Sequence, residues 1–174
     1  MQALLFILEA LLTLVVIAFL LRLVIPLARA SFRNPLGEAV LRITDPLVKP
    51  LRRLLKPAGN VDLAAVIALL MVQLLGTALL RLVAGLPFDP TAVLVSGVRD
   101  LASTVLQFYV VALLIYVLLS WIAPGTRSPA TDLLARLCEP LLRPVRRIVP
   151  SIGGLDLSPL FVLIGLQAVQ ILLR

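Results

Sequence analysis

The chain has 174 residues, 61% of them hydrophobic and 14% charged, with a mean hydropathy of +1.11. Soluble domains use about 45–50% apolar residues, so this composition specifies a membrane protein. Histidine is absent and cysteine occurs once, which excludes imidazole bases, histidine-ligated metals, Cys–His dyads and an intrachain disulfide. No cofactor or metal motif stands in their place and no residue is assigned a catalytic role, so a non-enzymatic protein is expected. The net charge of +7 points to an anionic partner, either phospholipid headgroups or nucleic acid.

A helix needs roughly 17–25 mostly apolar residues to cross about 30 Å of hydrocarbon. Four runs qualify, at residues 3–28, 63–80, 101–126 and 157–173. The last three carry no charge, whereas the first holds Glu9 and Arg22. None shows the polar face that recurs every three or four residues on a helix of a soluble bundle. The first run is read as a retained span, because it is about twice as long as the apolar region of a signal peptide and no Lys or Arg precedes it. The expected fold is all-α, a polytopic membrane protein with four transmembrane helices.

Displacing the sequence by 94 positions aligns its halves. Arg33 falls on Arg127, Pro35 on Pro129, Arg42 on Arg136, Pro46 on Pro140, Pro50 on Pro144, Arg52-Arg53 on Arg146-Arg147, Gly59 on Gly153, Asp62 on Asp156 and Gln73 on Gln167. Hydrophobic composition alone does not align Pro, Gly and paired Arg in one ungapped register, so the chain is read as an internal duplication. The first repeat is residues 1–85, a short extracytoplasmic connection occupies 86–97, and the second repeat is 98–174. Each repeat crosses the membrane twice, so both have the same orientation and form parallel tandem repeats.

Twelve of the sixteen basic residues lie in the two linkers, residues 28–60 and 123–155. The positive-inside rule places both linkers in the cytoplasm and both termini outside a bacterial inner membrane. In the first linker Leu36, Val40, Ile43, Leu47, Leu51 and Leu54 recur at helical spacing, as do Ala130, Leu134, Leu137, Leu141, Val145 and Ile148 in the second. Arg42, Lys49, Arg52 and Arg53, and Arg136, Arg143, Arg146 and Arg147, fall on the opposite faces. Such basic amphipathic helices should lie in the interface with their arginines against anionic phospholipid. Asp45-Pro46 resembles an N-cap followed by proline, and Glu139-Pro140 a poorer version, so each linker is expected to break into two short helices there. Gly59 and the Gly153-Gly154 pair supply the turns back into the membrane, with Asp62 and Asp156 near the starts of the returning helices.

Asn34-Pro35, the run from Asp45-Pro46 to Arg52-Arg53, and Glu139-Pro140 to Arg146-Arg147 followed by Pro150 and Gly153-Gly154-Leu155-Asp156-Leu157-Ser158-Pro159 together resemble the YggT family, called YlmG in cyanobacteria and plastids. The resemblance covers nearly the whole chain and is closer in the second copy; the first has Asn60 at the position of Gly154 and Ala64-Ala65 at that of Ser158-Pro159. It implies a small inner-membrane or plastid protein associated with cell division or nucleoid distribution, with b-type cytochrome assembly in one plastid branch, and with osmotic or potassium tolerance in some bacteria. It brings no catalytic residues.

Two functional readings follow. In the favoured one the eight basic linker residues bind anionic lipid and an unidentified membrane protein partner, and the chain also has the option of pairing with itself. In the alternative, Glu9, Gln73, Arg81 and Gln167 line a polar path for an ion such as potassium. Glu9 and Arg81 lie at similar depth near the outer surface and are candidates to pair, and Arg22 either snorkels or meets Asp62. Direct nucleic-acid binding is disfavoured because Phe32 is the sole aromatic in either linker. Cys138 is read as a small apolar filler.

Overall fold

A computed structural model describes residues 2–27, 35–55, 62–122, 128–149 and 156–173. They form six helices and no strand: α1 (Gln2–Leu27), α2 (Pro35–Leu54), α3 (Leu63–Val83), α4 (Pro90–Ile122), α5 (Pro129–Arg146) and α6 (Ser158–Leu172). Among them α1, α3 and α4 are long and apolar enough to cross a membrane. The fourth apolar run forms a shorter helix, α6, whose 15 residues span about 22 Å.

Local chemistry sets the ends of these helices. Asp62 is the N-cap of α3, its carboxylate accepting from the Ala65 N–H at 3.4 Å. Ser128 and Thr131 exchange side-chain to backbone bonds across the first turn of α5, with proline just inside the helix. At the end of α3, the Gly85 N–H bonds Leu82 O and the Leu86 N–H bonds Arg81 O, a closure that holds Gly85 at a φ of +74° that a side chain would resist. Asp89 accepts from the N–H of Thr91 at 2.9 Å, so α4 starts at Pro90 and residues 90–97, expected as connection, are helical.

The expected break at the acid–proline steps is absent. Helix α2 runs through Pro46 and Pro50, and α5 through Pro140 and Pro144. Prolines four residues apart lie on one side of a helix, and all four are exposed. The carbonyls that lose an N–H partner therefore open outward, while the opposite side of each helix stays packed and keeps it continuous.

The chain divides into two units: α1, α2, α3 and α4 up to Val105, and α4 from Leu106 with α5 and α6. In the first, Val16, Phe19 and Leu20 of α1, Val48 of α2 and Ala64, Ala65, Ala68 and Leu69 of α3 form the core. Alanines on α3 allow close approach, and a Cβ at Gly76 would overlap Leu12 of α1. In the second, Ala112 and Leu113 pack with Cys138 and Leu142 of α5 and Val162 of α6. Displaced by 94, seven buried positions coincide: Ala18 with Ala112, Phe19 with Leu113, Thr44 with Cys138, Val48 with Leu142, Ala64 with Ser158, Ala65 with Pro159 and Ala68 with Val162.

The inward faces of α2 and α5 differ from the expected stripes. Val40, Thr44 and Val48 are buried on α2, whereas Ile43, Leu47 and Leu54 are exposed. On α5, Leu133, Leu137, Cys138 and Leu142 are buried, with Leu134, Leu141 and Val145 packed beside them, and Ala130 and Ile148 are exposed. The packed face of α2 is thus turned part-way round the axis from its stripe, by less than the roughly 100° of one residue, whereas that of α5 keeps Leu134, Leu137, Leu141 and Val145 of its stripe. The side chain of Leu36, and Gly59, Gly153 and Gly154, lie outside the described residues.

Candidate functional site

In each unit an arginine near the end of α2 or α5 reaches the aspartate that precedes the following apolar helix. Arg52 donates to Asp62 Oδ2 from Nε at 3.1 Å and from Nη2 at closer range. Arg146 donates from Nε to Asp156 Oδ2 at 2.8 Å, and Asp156 also accepts from the Ser158 N–H at 2.9 Å. The two pairs share one register, ten residues apart within each pair and 94 between them. Each ties the end of α2 or α5 to the start of α3 or α6. Burial alone would raise the carboxyls of Asp62 and Asp156, but Arg52 with the Ala65 N–H, and Ser158 with Arg146, outweigh it and hold both below the usual aspartate value.

Around these common ties the units diverge. Arg22 of α1 is buried, at 3% exposure, and donates from Nη1 to Thr44 Oγ1 at 2.6 Å and to Asp45 Oδ1 at 2.7 Å. Thr44 donates its own hydroxyl hydrogen bond to Val40 O at 2.6 Å. Asp45 also holds Lys49 one turn on, at 2.9 Å. Arg22 therefore meets Asp45, not Asp62, because Asp45 faces inward on α2 and Asp62 is taken by Arg52. Burial raises the Asp45 carboxyl and its two cations lower it further, leaving it below its ordinary range.

The second unit has Tyr116 at the position of Arg22 and Cys138 at that of Thr44. Without a buried cation, Glu139 turns along its helix to Arg146 Nη1 at 2.9 Å, and Arg146 also reaches the Tyr116 hydroxyl at 3.5 Å. Arg146 thus gathers two carboxylates and a phenol. Burial lowers its pKa, and Asp156 and Tyr116 raise it well above the ordinary arginine value. Cys138 is fully buried, and loss of solvent pushes its thiol up to about 11.

A family model described as CCB3/YggT matches residues 1–83 and 95–174. The chain belongs to the CCB3/YggT family. It is 37% identical over 172 residues to an uncharacterised protein of Pseudomonas aeruginosa, covering 98% of this chain and 87% of that one. It is 38% identical over 177 residues to an uncharacterised Vibrio alginolyticus protein from the proC 3′ region, covering 99% and 94%. With the uncharacterised YggT of Escherichia coli K12 it shares 32% over 171 residues, covering 98% and 88%. No solved structure matches this YggT-family chain.

All eight basic residues singled out in the linkers, Arg42, Lys49, Arg52, Arg53, Arg136, Arg143, Arg146 and Arg147, are exposed. The ties sort them. Lys49, Arg52 and Arg146 hold acids of their own unit, while Arg42, Arg53, Arg143 and Arg147 make no ion pair with a described residue. The sequence missed the Arg22–Thr44–Asp45 network and the role of Tyr116; the repeated ten-residue spacing from Arg52 to Asp62 and Arg146 to Asp156 was the signal available for the ties.

Of the proposed intramembrane polar residues, Glu9 and Arg81 lie in the same unit and are not paired. Glu9 is exposed and forms no ion pair with Arg81, whose Nε is buried without a hydrogen-bond partner. Gln73 is buried and donates to Thr77 Oγ1 at 3.3 Å within α3, and Gln167 is exposed on α6.

Proposed function

We propose that this protein is a non-enzymatic scaffold or assembly factor of the bacterial inner membrane. Four helices cross the bilayer in two parallel repeats, both termini lie outside, and α2 and α5 lie on the cytoplasmic leaflet, where they bind anionic phospholipid and a membrane protein partner. One observation carries this reading: every basic residue of α2 and α5 named above is exposed, while the opposite side of each helix packs on apolar helices of its own unit. A helix anchored on one side and basic on the other presents fixed charge to an anionic surface. Arginine suits that task because its planar fork engages phosphate or carboxylate through two bonds. Membership of the CCB3/YggT family is compatible with an assembly role, including one in cell division or envelope organisation.

Crosslinked affinity capture from native membranes tests this. The variant for it changes Arg42, Arg53, Arg143 and Arg147 to Gln and leaves Arg52 and Arg146 in place, so that the internal ties survive. A stoichiometric membrane protein recovered with the wild type and lost from a normally inserted variant is expected. Equal capture by both would contradict the basic platform.

A further inference from the structure

We propose that Arg143 of α5 and Arg147, its C-cap, form a site for one phosphate of an anionic phospholipid headgroup, and that α2, with the same number of arginines left without a described partner, forms none. The proposal rests on the reading that both helices face an anionic leaflet. It goes further by placing the specific headgroup contact in the second unit alone.

The asymmetry starts from one position in the preceding apolar helix. In the first unit the buried Arg22 draws Asp45 inward, and Asp45 in turn holds Lys49 at 2.9 Å. On α2 the cations left without a described partner are Arg42 and Arg53. They stand eleven residues apart, about 16 Å along the helix axis, too far to share a phosphate. In the second unit Tyr116 replaces Arg22, and Glu139 engages Arg146 at 2.9 Å instead of the residue one turn on. That residue is Arg143, the repeat counterpart of Lys49, and it is left open.

Arg143 and Arg147 are four residues apart, one turn along the helix, and both are exposed. Their Cβ atoms lie roughly 5–6 Å apart on one face, close enough for two guanidinium forks to converge on a single phosphate. Two like charges so placed repel until an anion lies between them. The acids that could fill that role are committed elsewhere: Glu139 and Asp156 both bond Arg146. Ile148, next to Arg147 and 81% exposed, offers an apolar contact that suits an acyl chain and gives a free phosphate ion nothing. The occupant is therefore a phospholipid.

Native mass spectrometry of the purified chain in detergent, titrated with phosphatidylglycerol and separately with phosphatidylcholine, tests the site. Three forms are compared: wild type, Arg143→Gln with Arg147→Gln, and Arg42→Gln with Arg53→Gln. All four positions are exposed, and unchanged helicity verifies that each variant is folded. Losing a charge-assisted bidentate contact should weaken the tightest-bound phosphatidylglycerol roughly ten- to a hundredfold in the first variant and less than about threefold in the second. Phosphatidylcholine binding should not change. Equal losses in both variants would overturn the single-site proposal while leaving two basic faces on the leaflet. Displacement of phosphatidylglycerol by inorganic phosphate at comparable concentration would overturn the lipid as occupant. No preference for phosphatidylglycerol in the wild type would overturn both this site and the reading beneath it.

Discussion

In the first unit Asp45 of α2 turns inward to a buried arginine, whereas in the second Glu139 of α5 turns along its own helix to Arg146. The two units otherwise share register, buried positions and the tie from arginine to the aspartate of the next helix. The difference traces to Arg22 against Tyr116 and Thr44 against Cys138. A buried guanidinium needs an inward carboxylate and a hydroxyl; a tyrosine and a thiol need neither. One exchange on the apolar helix thereby decides which cations on the neighbouring basic face stay open to the outside.

The largest effect expected from breaking this comparison is at Arg22. Arg22→Leu leaves Asp45 with an exposed lysine as its sole partner among the described residues and Thr44 without its donor, and should destabilise the first unit by about 2–4 kcal/mol. Tyr116→Phe removes only a 3.5 Å bond and should change stability by less than about 0.5 kcal/mol. Unfolding in mixed micelles measures both; equal effects would mean that the units do not differ in the way described.

The ties should respond unequally as well. Asp62→Asn leaves Arg52 without a carboxylate and should lower stability by about 1–2 kcal/mol. Asp156→Asn leaves Arg146 its bond to Glu139 and should lower it by no more than about 1 kcal/mol. If Asp156→Asn proves the more damaging, Glu139 does not share the load.

Acid should reproduce these losses together. The carboxyls of Asp45, Asp62 and Asp156 sit below their ordinary values in the folded chain, so the unfolded state binds protons first as the pH falls. Their stabilisation is complete above the unfolded aspartate value of about 3.9 and disappears as the pH drops through the lower folded values. Stability measured from pH 7 to pH 2 should fall along that limb, and more shallowly in Asp62→Asn with Asp156→Asn. An unchanged slope in the double variant would show that the ties contribute nothing. The smallest effect belongs to Lys49→Gln, within about 0.5 kcal/mol, since the lysine side chain is 72% exposed.

The all-helical, apolar character and the family were legible in the sequence, because length, charge and register are properties of the chain itself. Which side of α2 packs was not. Ile43, Leu47 and Leu54 are exposed while Thr44 is buried. In a membrane protein, leucine suits a lipid-facing position as well as a core position, so hydrophobic periodicity no longer marks the inside. Thr44 is acceptable inside because Val40 O and Arg22 satisfy its hydroxyl. Proline reads as a break in the sequence because its cost is local, whereas the continuity of α2 and α5 comes from packing along the opposite side. The partner of Arg22 is hidden from the sequence for a related reason: its choice between Asp45, Asp62 and the interface depends on which turn of α2 lies against α1.

The most direct test of the basic faces as a cytoplasmic platform is labelling with a membrane-impermeant maleimide. Arg53→Cys and Arg147→Cys are each compared in intact spheroplasts and in inverted inner-membrane vesicles. The native Cys138 is buried with a raised thiol pKa and should stay silent in both. Both introduced cysteines should react in inverted vesicles and neither in spheroplasts. Reaction of either from the outer side would contradict the parallel orientation of the repeats and, with it, a shared basic platform in the cytoplasm.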